Sequence, residues 1–154
     1  MRITACHRYH ANPEEVYAML NDEDFLKKVA ARADATEATV STDADGIELR
    51  ASVVAPQKAQ KLVGEELTLA LRSNWTKLMN NRAEAVLSAS VDRLPATLSG
   101  TAKLSGNESE TIVEYDCEFS VRVALVGKRI EQAAAPYVTA VIDKQQEVGN
   151  EWLG

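Results

Sequence analysis

Apolar residues along this chain recur with two different periods, and the change of period marks the elements. In the first ten residues Ile3, Ala5, His7 and Tyr9 alternate with Arg2, Thr4, Cys6, Arg8 and His10. A period of two predicts a strand. Asn12-Pro13-Glu14-Glu15 then reads as a helix start: Asn as N-cap, Pro in the first turn, two carboxylates at the positive end of the dipole. Val16, Met19 and Leu20 supply the buried stripe of this short helix. Asp22-Glu23-Asp24 opens a second one, with Phe25, Leu26 and Val29 as its apolar face, fading near Ala33.

From there to about residue 123 the pattern predicts strand after strand. A weak one covers roughly 36–42, and Asp43-Ala44-Asp45-Gly46 turns the chain. Ile47, Leu49, Ala51 and Val53 share the next inner face, which Pro56 ends; a short helix or loop over 57–64 closes at Gly64. Leu67, Leu69, Leu71, Ser73 and Trp75 follow, then a turn at Asn80-Asn81, then Ala83, Ala85, Leu87, Ala89 and Val91. Leu98, Gly100, Ala102 and Leu104 make the next inner face. The clearest strand, 111–123, sets Val113, Tyr115, Cys117, Phe119, Val121 and Val123 against Glu114, Asp116, Glu118, Ser120 and Arg122. Such alternation describes a sheet with one face buried and one in water, and links this short make neighbouring strands antiparallel. The last segment returns to helical period, with Ile130, Ala134, Tyr137, Val141, Val148 and Trp152 on one stripe and Pro136 predicting a kink or a split into two helices near 132–136.

Every strand thus has one apolar face, and only the long C-terminal helix is available to cover it. The expected architecture is α+β: a curved antiparallel sheet of about seven strands wrapped round that helix, with two short helices between strands 1 and 2. At 154 residues the chain suits a single domain, 1–154, that buries roughly 70% of its unfolded surface.

The order of elements, with Tyr9-His10-Ala11-Asn12-Pro13-Glu14-Glu15-Val16-Tyr17-Ala18-Met19-Leu20, resembles the START/pollen-allergen/polyketide-cyclase superfamily (SRPBCC) and its helix-grip fold. Within it the chain looks most like an actinobacterial family of domains of unknown function, on three stretches: His7-Arg8-Tyr9, Leu125-Val126-Gly127-Lys128-Arg129-Ile130-Glu131 and Glu151-Trp152-Leu153. The resemblance implies a pocket between sheet and helix for lipids, polyketides or other apolar ligands. It brings no catalytic motif.

Composition bears on that pocket. Only eight residues are aromatic and 23 are alanine. Ala5, Ala51, Ala83, Ala85, Ala89, Gly100 and Ala102 all fall on the inner face, where small side chains either leave volume for a ligand or let the helix pack closer. His7, Tyr9, Tyr115 and Tyr137, with Ser73 and Trp75, are the polar-tipped residues expected to face inward. With Ala85 and Gly100 from the floor they form the candidate ligand-binding set.

The net charge of −6 argues against nucleic acid as a partner. Two cysteines on opposite faces, Cys6 and Cys117, predict no disulfide. No apolar run suggests a signal or a membrane span, so the expected location is the cytoplasm. Neither a metal set nor a cofactor motif is visible. Three classes of function stay open. The first is a binding module for a small hydrophobic molecule. The second is a cofactor-free cyclase, dehydratase or isomerase using His7 or a tyrosine as proton handler. The third is a protein-interaction domain with a filled core. The oligomeric state stays open, a homodimer included.

Overall fold

The computed structural model describes residues Met1–Gly154. The elements run β1 (Arg2–Tyr9), α1 (Pro13–Leu20), α2 (Glu23–Arg32), β2 (Glu37–Asp43), β3 (Gly46–Val54), α3 (Gln60–Val63), β4 (Glu66–Trp75), β5 (Arg82–Val91), β6 (Ala96–Gly106), β7 (Thr111–Val121) and α4 (Gly127–Leu153). All seven strands form one antiparallel sheet in the order β1-β7-β6-β5-β4-β3-β2. This is the expected helix-grip architecture, a curved sheet with two short helices between β1 and β2 and a long helix at the end.

Local chemistry explains the joints. Asn12 caps α1, its Oδ1 accepting from Glu15 N–H at 2.9 Å while its amide donates to the Glu15 carboxylate at 3.1 Å. This reciprocal pair satisfies a donor that the first helical turn leaves free. Asp22 caps α2 by accepting from Asp24 and Phe25 N–H. Asn80 and Asn81 both hold positive φ, 53° and 60°, the left-handed pair that a tight hairpin turn requires and that Asn tolerates. On the outer face Arg72 joins Asp43 and Glu48, and Arg50 joins Glu48 and Asp92. These contacts tie together the β2–β5 side of the sheet.

The core is in two parts. The larger one packs Tyr9, Val16, Met19, Phe25, Leu104, Val113 and Val148 around Ala85 and Ala102. The smaller gathers Ala30, Leu49 and Ala51 under α2. Four of the seven small floor residues, Ala51, Ala83, Ala85 and Ala102, are therefore closed over by neighbouring side chains. There the small side chains admit closer packing rather than leaving room.

Helix α4 differs from expectation in two ways. It runs unbroken through Pro136. Pro136 and Gln132, whose carbonyl the proline leaves without its helical donor, both lie on the exposed face, where water can satisfy that carbonyl. The inward stripe is also displaced by one residue in the middle of the helix. Val138 and Ile142 are half-buried, whereas Tyr137 is 56% and Val141 38% exposed. The stripe follows Glu131, Ala135, Val138, Ile142, Gln145 and Gly149, a spacing of alternating fours and threes. At the end of the sheet, β7 stops at Val121, and Val123 lies in the exposed link to α4.

Two glycines mark where α4 touches the rest of the molecule most closely. A Cβ at Gly127 would lie 2.4 Å from the Val121 carbonyl oxygen, and one at Gly149 would lie 2.6 Å from the Tyr9 ring and 3.2 Å from Met19 Cε. Gly149→Ala should therefore lower stability by about 1–2 kcal/mol, overpacking outweighing the gain in helix propensity. Thermal denaturation followed by circular dichroism checks this. An unchanged or raised midpoint would show that Tyr9 and Met19 yield at no cost.

Candidate functional site

β1 and β7 are paired so that His7 lies opposite Val113 and Ala5 opposite Tyr115. This register brings His7, Tyr9 and Tyr115 together beneath α4. His7 is 2% exposed and Tyr9 fully buried. Tyr9 Oη and His7 Nδ1 are 3.3 Å apart, and the His7 and Tyr115 rings lie 5.0 Å apart between centroids, tilted by 60°. Gln145 Nε2 donates to Tyr115 Oη at 3.1 Å. Nearby, Thr111 Oγ1 donates to the Ala11 carbonyl at 2.8 Å and pins the start of α1 to β7.

His7 Nε2 is buried and has no hydrogen-bond partner. An imidazole pairs best with the phenol by accepting its proton at Nδ1, which puts the ring hydrogen on Nε2 as an unmet donor. Burial lowers the His7 pKa to about 4, against an opposing attraction from Asp143 of α4. The imidazole is neutral at pH 7. Burial raises the phenol pKa of both Tyr9 and Tyr115; for Tyr115 the neighbouring Tyr9 adds to the rise and the Gln145 hydrogen bond opposes it. Burial also raises the Cys117 thiol, so it is no ready nucleophile. The site can thus offer neutral donors and acceptors in an apolar setting, and no fixed charge.

The other predicted residues are spread across the same concave face. Ser73 and Gly100 are half-buried and lie in one row across the sheet with Leu87 and Cys117. The bare Cα of Gly100 admits the neighbouring strand, since a Cβ there would lie 2.6 Å from Cys117 Cα. Trp75 packs edge-on against Tyr17 of α1 at 6.1 Å, and Tyr17 Oη donates to the Thr76 carbonyl at 2.8 Å. Ala85 is closed over by the larger core. Tyr137 is mostly exposed and does not pack on the sheet as expected. Sequence reasoning missed Gln145 and Asp143. The signal for Gln145 was its place on the four-three stripe, where polarity hid it.

A band of the concave face remains half-buried. It comprises Val53 of β3, Leu67, Leu69 and Leu71 of β4, Leu87, Ala89 and Val91 of β5, and Leu98 of β6. The major helices pack chiefly on β1, β2, β3, β6 and β7, so the central strands have the least cover. Two surface depressions lie elsewhere. One, of about 410 Å³, is bordered by Asp24, Lys27, Lys28, Ala31 and Trp152. The other, of about 520 Å³, lies on the outer face over Thr4, Cys6, Lys103 and Glu114.

Solved structures share this architecture. A START superfamily protein from Mycobacterium smegmatis superposes with a TM-score of 0.62 at 13% identity, over 99% of each chain. A protein from Thermus thermophilus gives 0.65 at 15% identity, over 96% of each. Norcoclaurine synthase from Thalictrum flavum, solved in complex with dopamine and hydroxybenzaldehyde, gives 0.57 at 13% identity, over 98% of this chain and 87% of the enzyme. At these identities the likeness is one of fold. By sequence, residues 4–153 match the family described as Protein of unknown function (DUF2505), and the chain belongs to that family. No curated protein matches it by sequence.

His7 gives a pH test of the site. The unfolded chain binds a proton at His7 near pH 6.5, and the folded chain only near pH 4. Between these values the unfolded state holds more protons. The contribution to stability is therefore complete above pH 6.5 and is lost as pH falls toward 4, by about 3 kcal/mol in all. Urea unfolding across this range should show a steep acid-side decline in the parent protein. The decline should be shallower by one proton in His7→Gln. Equal slopes would mean that His7 titrates freely.

Proposed function

We propose that this protein binds a small apolar molecule, a lipid, polyketide or similar, between the concave sheet and α4. The observation that carries the reading is the half-buried band on β3–β6, a run of leucines and valines where a filled core would bury them fully. Ser73, Gly100 and Tyr115 border the band, and His7 and Tyr9 provide the polar end. Ala85, Trp75 and Tyr137 contribute less, the first buried in the core, the second half-buried against Tyr17 and the last turned outward. Burial of a lipid-sized ligand at ~25 cal/mol per Å² of apolar area suffices for affinity on the order of micromolar.

A second reading, proton transfer without a cofactor, draws on the same His7. In the opposite tautomer, which donates Nδ1–H to Tyr9 Oη, His7 Nε2 carries a free lone pair, and the imidazole then has the form of a general base held by a positioning group. The norcoclaurine synthase comparison supplies a precedent for chemistry on this fold and nothing about the residues.

Titration with a dansyl-labelled fatty acid tests the first reading. Saturable binding is expected, weakened at least about tenfold by Ala89→Trp, which fills the band, with the thermal midpoint of the variant retained. Absence of saturable binding, or unchanged affinity in a folded Ala89→Trp protein, would overturn it.

A further inference from the structure

One end of the molecule differs from the rest in both polarity and charge. The β3–β4 link with α3, the β5–β6 turn and the β7–α4 link meet there. Asp92 N–H donates to the Thr68 carbonyl at 2.9 Å, and Arg122 N–H to the Pro95 carbonyl at 2.8 Å. On these links Val54 is 61% exposed, Leu62 74%, Val126 41%, and Leu125 fully exposed. Leu125 also holds a positive φ of 71°, a conformation that costs a branched, non-glycine residue energy and presents its side chain at the tip of the link. No packing gain offsets either expense.

Unpaired cations gather on these links. Arg122, Lys128 and Arg129 lie within four residues of Leu125, and Arg93 lies across the Arg122–Pro95 contact. Lys58 and Lys61 precede Leu62. None of these six cations takes part in an ion pair. The acids at this end are Glu65 and Glu66 beside α3, Asp34 and Glu37 at the β2 edge, Asp92, which is held by Arg50 at 3.0 Å, and Glu118 and Glu131, which face the N-terminal ammonium at 2.7 and 3.6 Å. No acid stands on the Arg122–Arg129 link itself. In a chain of net charge −6, Arg93, Arg122, Lys128 and Arg129 form a local attraction for an anionic surface, and repulsion of the acidic remainder orients the approach.

We propose that this end docks on an anionic membrane surface, with Leu125 and Val126 entering the interface and Arg93, Arg122, Lys128 and Arg129 meeting lipid phosphates. Exposed apolar side chains set among cations are what the headgroup region accommodates. The apolar groups leave water for the acyl boundary while the long basic side chains reach the phosphates. Each cation near such a surface strengthens binding about fivefold, an effect that weakens as salt rises. The proposal does not depend on the concave face binding a ligand.

Flotation of the full chain with phosphatidylcholine vesicles, with and without phosphatidylserine, tests it. The expected result is binding to the phosphatidylserine vesicles at low salt, lost at high salt and absent from pure phosphatidylcholine. Lys128→Glu/Arg129→Glu should reduce that binding at least tenfold, as should Leu125→Asp. Lys77→Glu/Lys103→Glu, of equal charge change but away from this end, should retain most of it. Circular dichroism establishes that each variant is folded, and should Leu125→Asp fail, the charge pair alone decides. Four results would overturn the proposal: no binding to either vesicle, equal binding to both, full binding by the folded Lys128→Glu/Arg129→Glu protein, or self-association through Leu125 without vesicle binding.

Discussion

The Tyr9 ring occupies the space that a side chain at position 149 would need, and the course of α4 over the sheet follows from that contact. Because residue 149 is glycine, the helix comes down onto β1 until backbone meets ring. Phe25 then packs edge-on to Trp152, Lys28 lies over the same indole, and Arg32 reaches Glu151 at 2.6 Å. At the other end Gly127 is in equally close contact with the Val121 carbonyl. The two contacts are 22 residues apart, about 33 Å along a helix. Between them Glu131, Ala135, Val138, Ile142 and Gln145 are only half-buried, and full burial resumes at Val148. Both supports lie on the β1–β7 edge pair, where α4 makes its main contacts with the sheet, and this is why the central strands have less cover.

Beneath the span lie polar groups that packing alone does not call for. The row of the sheet holding His7 continues through Val113, Leu104 and Ala83, all apolar, and an aliphatic residue at position 7 would complete it. The imidazole instead leaves one nitrogen without a partner, a cost of about 1–3 kcal/mol. Natural cores keep few such groups, and those they keep tend to mark function or an ordered water. Stability therefore does not explain His7. Its neutral state, its contact with the Tyr9 hydroxyl and its closeness to the Tyr115–Gln145 pair describe one polar patch in an otherwise apolar interior.

Strand parity was readable directly from the amino-acid order. The alternation along β1, β3, β5 and β7 put the correct residues inward because each strand has one wet face, and a shift of one residue would have exposed every leucine. The helix caps and the Asn80-Asn81 turn were equally legible, since local chemistry decides them. The long helix was less so. Its inward positions include Glu131, Gln145 and Gly149, which no hydrophobic pattern selects, so Tyr137 and Val141 attracted the stripe one residue early. The candidate site was half-legible for a related reason. Parity brought His7, Tyr9 and Tyr115 to one face, yet parity says nothing about which parts of that face a helix covers. The alanines looked like a vacant floor, yet Ala85 and Ala102 lie in the core with Tyr9, Met19 and Phe25, and Ala51 packs with Ala30 and Leu49. The uncovered ground belongs to leucines, which on composition look like ordinary core.

This separation of roles is also spatial. The contacts that hold the fold together, Gly149 on Tyr9, Thr111 on Ala11 and Phe25 on Trp152, concentrate where α1, α2 and the last turns of α4 converge. The residues the fold leaves unsatisfied, the half-buried leucines of β4 and the exposed Leu62 and Leu125, run toward the opposite end, where Leu67, Val91 and Val121 are the last inward side chains before the links. A chain selected only for stability would spread its exposed apolar groups singly over the surface. Here Leu62, Leu125 and Val126 gather on the links at the end toward which the half-buried band runs, while Met79, Val86 and Tyr137 lie singly elsewhere. One end of the molecule carries the stability, and the other is free to meet something else.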